Sequence, residues 1–309
     1  MLKHLFSTFP ILALFLVGYG LKRFQFFKEG TIDDIKQFVT NIALPALLFN
    51  SFLTLSIEAK YVYLVVVIFL LCLGMLLLGK GVRKLLHIKS SYFAFMMSGF
   101  EMGMFGYAMF ISLYGNDEVG KIAFMDIGQV LFVFTILMTL LLQLRDGKQS
   151  SRIVWRRIVL SPIILAMASG ILIGQLKGRL PSNEVFNAIG SFITLVGSVT
   201  VPLIAITIGY GLDISRKGIG LPMLTIALRK VLLMLCALII NRFLIQGWLG
   251  MGPMYGNALF IMLLTPPPFV ISVFARNDNK QDVRYINQTL SLDCLISTVL
   301  SILAAAIGA

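Results

Sequence analysis

Three carboxylates fall inside segments too apolar to be loops: Glu101, Asp126 and Asp293. An ionisable group at membrane depth is costly, which makes each a functional candidate by default. Glu101, next to Met102 and Gly103, reads as a proton carrier or as the partner of a cation, against the rival of a carboxyl paired for folding alone. Gln129 follows Asp126 by three residues, so the two share a helix face. Gln129 reads as a substrate contact, while Asp126 is either a coupling residue or a solvated helix end near the outer interface. Asp293 stands in a polar run with Asn287, Gln288, Ser291 and Ser297. It is a second candidate for proton or ion coupling, against a role in helix–helix hydrogen bonding. Arg229 and Lys230 sit near the start of another apolar run; at least one is expected to snorkel to the headgroups, and an inward-facing Arg229 could pair with a carboxylate or the substrate anion.

Something must hold these groups away from lipid. The stretch Thr265-Pro266-Pro267-Pro268-Phe269 interrupts an apolar segment that is otherwise long enough to span. Each proline removes a backbone donor and clashes with the carbonyl four residues back. Such backbone survives in hydrocarbon only where protein or a water-filled cavity shelters it. In transporters, broken helices of this kind carry the binding site. A second segment, with Gly99, Gly103, Gly106 and Gly115, is the other candidate break, and it contains Glu101. The expected site therefore comprises Glu101, Gly103, Gly106, Gln129, Pro266, Pro267 and Pro268, with Glu101, Asp126 and Asp293 as coupling residues.

Composition sets the class. Apolar residues are 58% of 309 and charged residues 13%, where a soluble domain carries roughly 25% charged residues; mean hydropathy is +0.91. This is the profile of an all-α polytopic membrane protein. Ten apolar segments approach the length of a span: 5–21, 32–55, 61–79, 92–114, 122–143, 159–176, 186–211, 221–243, 257–275 and 285–307. The net charge of +12 lies in short loops rather than in a nucleic-acid patch. Odd-numbered loops hold 17 Lys and Arg, even-numbered loops 5 when Arg242 at the end of segment 221–243 is included. The positive-inside rule then makes the odd loops cytoplasmic and both termini extracellular.

The basic stretch 145–158 divides the chain into a first half, 1–144, and a second, 159–309, of five spans each. An odd number of spans per half inverts the second half relative to the first. The two interrupted segments are fourth in each half, the arrangement of an inverted-repeat transporter with discontinuous helices 4 and 9. Thr31 with Asp34 resembles a capping box opening span 2. Cys72, Cys236 and Cys294 lie in apolar runs without metal-ligand spacing, and neither a cofactor nor a metal is expected. Histidine occurs only at His4 and His87, and no HExxH or GxSxG motif appears, so the chain is not read as an enzyme.

Several segments resemble the auxin efflux carrier family, which includes plant auxin exporters and bacterial carriers of malate- and malonate-like acids. They are Leu44-Pro45-Ala46-Leu47-Leu48-Phe49, Leu113-Tyr114-Gly115, Ser161-Pro162-Ile163-Ile164, Val201-Pro202-Leu203 with Gly209 and Leu212, and Phe274-Ala275-Arg276. The resemblance covers nearly the whole chain and implies two inverted five-helix repeats with spans 4 and 9 crossing near the midplane. Two departures stand out. The family's asparagine at the first crossover falls on Glu101, and its proline on Ala108 while Gly106 is kept, so this crossover is expected to break through glycine. The resemblance implies a secondary carrier of a small organic anion in the cell membrane, working by alternating access with proton coupling or uniport open. A sodium-coupled symporter of the bile-acid-carrier type and a non-transporting membrane sensor are the alternatives. Partners are the solute, a proton or sodium ion and the lipid bilayer, with a homodimer open and no nucleic acid.

Overall fold

The structure is a computed structural model that describes residues 2–28, 30–53, 60–146, 160–176, 184–211, 218–274 and 279–307. Among the described residues it is all-helical, without strands. The basic stretch 147–158 and the Ala275-Arg276 pair lie outside them.

In chain order the helices are α1 (Leu2–Arg23), α2 (Thr31–Phe38), α3 (Leu44–Leu53), α4 (Lys60–Leu85), α5 (Phe93–Met96), α6 (Tyr107–Tyr114), α7 (Val119–Phe132), α8 (Met138–Asp146), α9 (Pro162–Leu176), α10 (Glu184–Ser198), α11 (Thr200–Gly211), α12 (Gly220–Ile239), α13 (Pro253–Leu264), α14 (Val270–Phe274) and α15 (Lys280–Ile307). Wide π turns join α2 to α3 at Val39–Ala43, lead into α6 at Met102–Gly106, join α7 to α8 at Val133–Leu137 and extend α12 at Ile240–Trp248. The first has a cause in the sequence. Pro45 cannot donate to the carbonyl four residues back, and the wide turn over Val39–Ala43 absorbs the misfit. Thr31 is not a cap. Gly30, at φ 88°, caps α2 without a side-chain bond, leaving Asp33 and Asp34 in the first turn.

Five described helical runs are long and apolar enough to cross a membrane: Lys60–Leu85, Asn116–Arg145, Asn187–Gly211, Gly220–Trp248 and Lys280–Ala306. Shorter apolar helices run Met102–Tyr114, Pro162–Leu176 and Pro253–Leu264. Large apolar side chains such as Val66, Leu70, Leu77, Val231 and Leu238 face outward, which suits hydrocarbon and would be costly in water.

The helices form two bundles. In the first, α1 lies along α11, and both α9 and α10 lie along α3. Glycines allow the close approach. A Cβ on Gly18 would stand 2.1 Å from the Ile206 carbonyl oxygen, and one on Gly209 2.0 Å from that of Phe15. Across α9 and α3, a Cβ on Gly170 would meet the Phe49 oxygen at 2.6 Å and one on Gly174 the Leu53 oxygen at 2.7 Å. In the second bundle α4 packs on α7, α12 on α13 and α15, and α13 on α7 and α15. The helix α6 leaves this bundle to touch α1 and α11 in the first.

Candidate functional site

The second bundle contains both interruptions. The first lies between α5 and the turn at Met102, over Met97–Glu101, with Gly99 at φ +66°. A Cβ at Gly99 would be 2.7 Å from Pro268 Cγ, so glycine supplies both the left-handed backbone and the room for the facing proline. Of the four glycines in this segment, Gly103 and Gly106 are the ones expected at the break. It falls a few residues earlier, and those two glycines belong to the wide turn that starts the second half-helix. The second interruption is Thr265–Phe269, between α13 and α14. The two breaks touch: the Glu101 backbone N–H donates to the Pro266 carbonyl at 2.8 Å.

The four helix ends created by the breaks are capped by charge. Glu101 serves both N-terminal ends. One carboxylate oxygen accepts from the Met104 N–H at 2.8 Å and the other from the Phe269 N–H at 2.6 Å. Helix N-termini present free N–H groups and a positive dipole end, so one carboxylate here satisfies donors on two half-helices. Arg229 and Lys230, side by side on α12, serve the C-terminal ends. The Arg229 guanidinium donates to the carbonyls of Met97 at 2.9 Å, Gly99 at 2.5 Å and Thr265 at 3.4 Å. The Lys230 ammonium donates to the carbonyls of Leu264 at 2.5 Å and Thr265 at 3.1 Å, and to Ser297 Oγ at 2.8 Å. Arg229 is 0% exposed and Lys230 8%. Neither snorkels, and Arg229 takes backbone carbonyls rather than a carboxylate.

Asp293 pairs with Lys230 at 2.7 Å and accepts from Ser297 at 3.0 Å. Its place is beside the C-terminal cap of α13, behind the breaks.

A cavity of about 600 Å³ opens where the breaks meet the first bundle. Glu101, Gly103, Asp126, Gln129 and Pro268 all line it. Gly106, Pro266, Pro267 and Asp293 do not. Gly106 packs where a Cβ would meet Met102 and, at 3.2 Å, Thr265, and Pro266 contributes its carbonyl to Glu101. Asp126 is no solvated helix end: it is 2% exposed, and Tyr107 donates to its Oδ2 at 2.6 Å. The Gln129 amide donates to the Phe100 carbonyl at 2.5 Å. Asp126 Oδ1 and Gln129 Oε1 have no hydrogen-bond partner among the described residues. Lys36, Thr40, Gly211 and Asn287 form the more exposed rim, where Lys36 pairs with Asp33 at 3.1 Å.

At the other end the bundles meet in an aromatic cluster. Phe52 stands edge-on to Phe124 at 5.4 Å, Phe124 stacks on Tyr61 at 4.5 Å, and Tyr61 stacks on Tyr255 at 5.8 Å with their hydroxyls 2.8 Å apart. All four are buried.

Sequence reasoning missed the caps. Arg229 and Lys230 lie ten and eleven residues into a 29-residue apolar helix, Gly220–Trp248, and that depth was the available signal. Among the described residues no group of three His, Cys, Asp or Glu could hold a metal. A family model described as "Membrane transport protein" matches residues 5–306. No curated protein matches the chain.

Proposed function

The chain belongs to the auxin efflux carrier family of membrane transport proteins, and from that footing we propose that it is a secondary carrier of a small organic acid, of the malate- or malonate-like class, working by alternating access in the cell membrane. The observation that carries this reading is the cavity where two broken helices meet between two bundles. Discontinuous helices at a repeat interface are the recurrent build of carrier sites.

The ten-span inverted repeat, with 1–144 and 159–309 as its halves, is supported by a reciprocity of packing. The first helix of the first half lies along α11, in the second helix region of the second half; the first helix of the second half, α9, lies along α3, in the second helix region of the first. A two-fold exchange of halves maps one contact onto the other. Pro45 and Pro202 stand near the starts of those second-region helices.

Sidedness follows from the same assignment. The rim residues Lys36, Gly211 and Asn287 adjoin the basic loops, so the cavity faces the cytoplasm, and the Phe52–Phe124–Tyr61–Tyr255 cluster closes the outer side. This is an inward-facing arrangement. Rocking the second bundle against the first would part the aromatic cluster and close the rim.

Charge bears on coupling. The half-helix N-termini already hold the Glu101 carboxylate, and Asp126 adds a second acidic side chain to the lining. An anionic cargo entering this lining needs a compensating positive charge, which favours proton coupling over uniport. Lys36, Thr40, Ser272 and Asn287 supply donors for its carboxylates.

The test is a thermal-shift screen of purified protein with organic acids and amino acids at several pH values. A ligand that binds the folded state raises its stability by mass action. A carboxylic acid that raises the melting temperature, and that protects Asn287→Cys from a membrane-impermeant thiol reagent, supports the reading. A panel of acids that shifts neither overturns it.

A further inference from the structure

Three buried carboxylates lie near the breaks, and their surroundings differ in a way that separates their roles. Both oxygens of Glu101 are occupied by backbone N–H groups of two half-helices. Asp293 has one oxygen held by the Lys230 ammonium and Ser297 and the other without a hydrogen-bond partner among the described residues, and it stands away from the cavity. Asp126 has a phenol on one oxygen and nothing on the other, and no ion pair reaches it among the described residues. Three residues further along the same helix face, the amide oxygen of Gln129 is equally without a donor.

Two acceptors without donors, one turn apart in an apolar lining, are expensive to leave so. A proton on Asp126 Oδ1 removes a buried charge and turns that oxygen into a donor, and Gln129 Oε1, one turn along the same face, is an acceptor that lacks one. Each of the two oxygens exposes less than 1 Å². The Gln129 amide nitrogen is committed to the Phe100 carbonyl at 2.5 Å, which leaves its oxygen as the end still to be satisfied. The ionisable groups bearing on Asp126 from the facing elements are Tyr107 on α6, Glu101 at the first break and Cys72 on α4. All three are acids, and none brings positive charge.

We propose that Asp126, with Gln129 as the acceptor that positions its hydrogen, is the proton-loading site of the carrier, and that Glu101 is a fixed structural cap. In the inward-facing arrangement Asp126 holds the proton in the Asp126–Gln129 pair, with the Tyr107 hydroxyl still donating to Oδ2. Release transfers that proton to water in the cavity and leaves a carboxylate held by Tyr107 alone. The proposal deepens the proton-coupled reading above and rests on it for the use made of the proton. Its occupancy test stands apart from any transport assay.

That test is infrared difference spectroscopy on the full chain in lipid nanodiscs, at neutral pH and without cargo, following the carbonyl band of a protonated carboxylic acid. Wild type is expected to show the band and Asp126→Asn to lose it, while Asp293→Asn and Glu101→Gln keep it. Asparagine can accept from Tyr107 as aspartate does, and a thermal melt checks that the variant is folded. Gln129→Leu is the second variant: it should keep the band but move it to the frequency of a carboxylic acid without a hydrogen-bond acceptor. The proposal is overturned by a wild type with no band, by a band lost in Glu101→Gln or Asp293→Asn instead, or by a band that sodium chloride abolishes while choline chloride does not. Failure of the thermal-shift screen with the band intact would sink the cargo reading and leave the proton site standing.

Discussion

Replacing Glu101 with glutamine probes the joint between the two broken helices. The carboxylate accepts one N–H from each side, Met104 at 2.8 Å and Phe269 at 2.6 Å. An amide of the same shape has one acceptor oxygen, so it can keep one bond while its NH2 group faces the other donor. Losing one bond to a charged acceptor costs about 1.5–3 kcal/mol, and stranding a buried N–H costs about 1–3 kcal/mol. A combined loss of about 3 kcal/mol in local stability corresponds to roughly 100-fold faster exchange of the amides it held. Hydrogen–deuterium exchange by mass spectrometry on nanodisc-embedded protein reads this directly. Peptides covering 102–107 or 268–274 should exchange faster by about that factor, while peptides from α9 and α10 stay at the wild-type rate. Unchanged exchange at both breaks would refute the claim that one carboxylate fastens them together.

Other substitutions test the remaining supports. Lys230→Met should lower the thermal midpoint strongly, since removing one partner of a buried pair costs about 3–5 kcal/mol; adding Asp293→Asn should recover part of that loss, and no recovery would mean the ion pair is not what failed. Gly209→Ala places a Cβ where the Phe15 carbonyl stands 2.0 Å away, so α1 and α11 must separate; overpacking of this kind costs about 1–3 kcal/mol, visible as a lower melting temperature, and an unaltered melt would contradict the close approach. Phe124→Ala should open the outer aromatic cluster, so that a cysteine at Thr207 in the cavity lining becomes reactive to an impermeant reagent from the extracellular side. Continued protection there would remove the cluster as the outer seal.

How much of this was legible in the sequence depends on the kind of signal. Three consecutive prolines in an apolar run admit few readings, because each deletes a donor that lipid cannot replace, and the second break stands where they do. The first break has no proline. Four glycines were in view, and only backbone geometry distinguishes Gly99, at φ +66°, from Gly103 and Gly106, which accept a helical turn. Depth flagged Glu101, Asp126 and Asp293 alike, since the cost of burial is the same for any carboxyl group. What separates them is the identity of their partners: two backbone amides, one phenol, and one lysine from a helix more than sixty residues away in sequence. Arg229 and Lys230 escaped because a cation near the end of an apolar run reads as a headgroup contact. Their burial makes sense only once both broken helix ends are known to leave carbonyls at the same depth.

The account's central claim is that solute crosses through the cavity at the two breaks, and reconstituted transport tests it most directly. Proteoliposomes carrying the chain should accumulate a labelled organic acid, chosen from the thermal-shift screen, when a proton gradient is imposed. Simultaneous replacement of Pro266, Pro267 and Pro268 by alanine should abolish that accumulation while membrane insertion persists. Full accumulation in the triple variant, or none in the wild type with any acid that binds, would contradict the account.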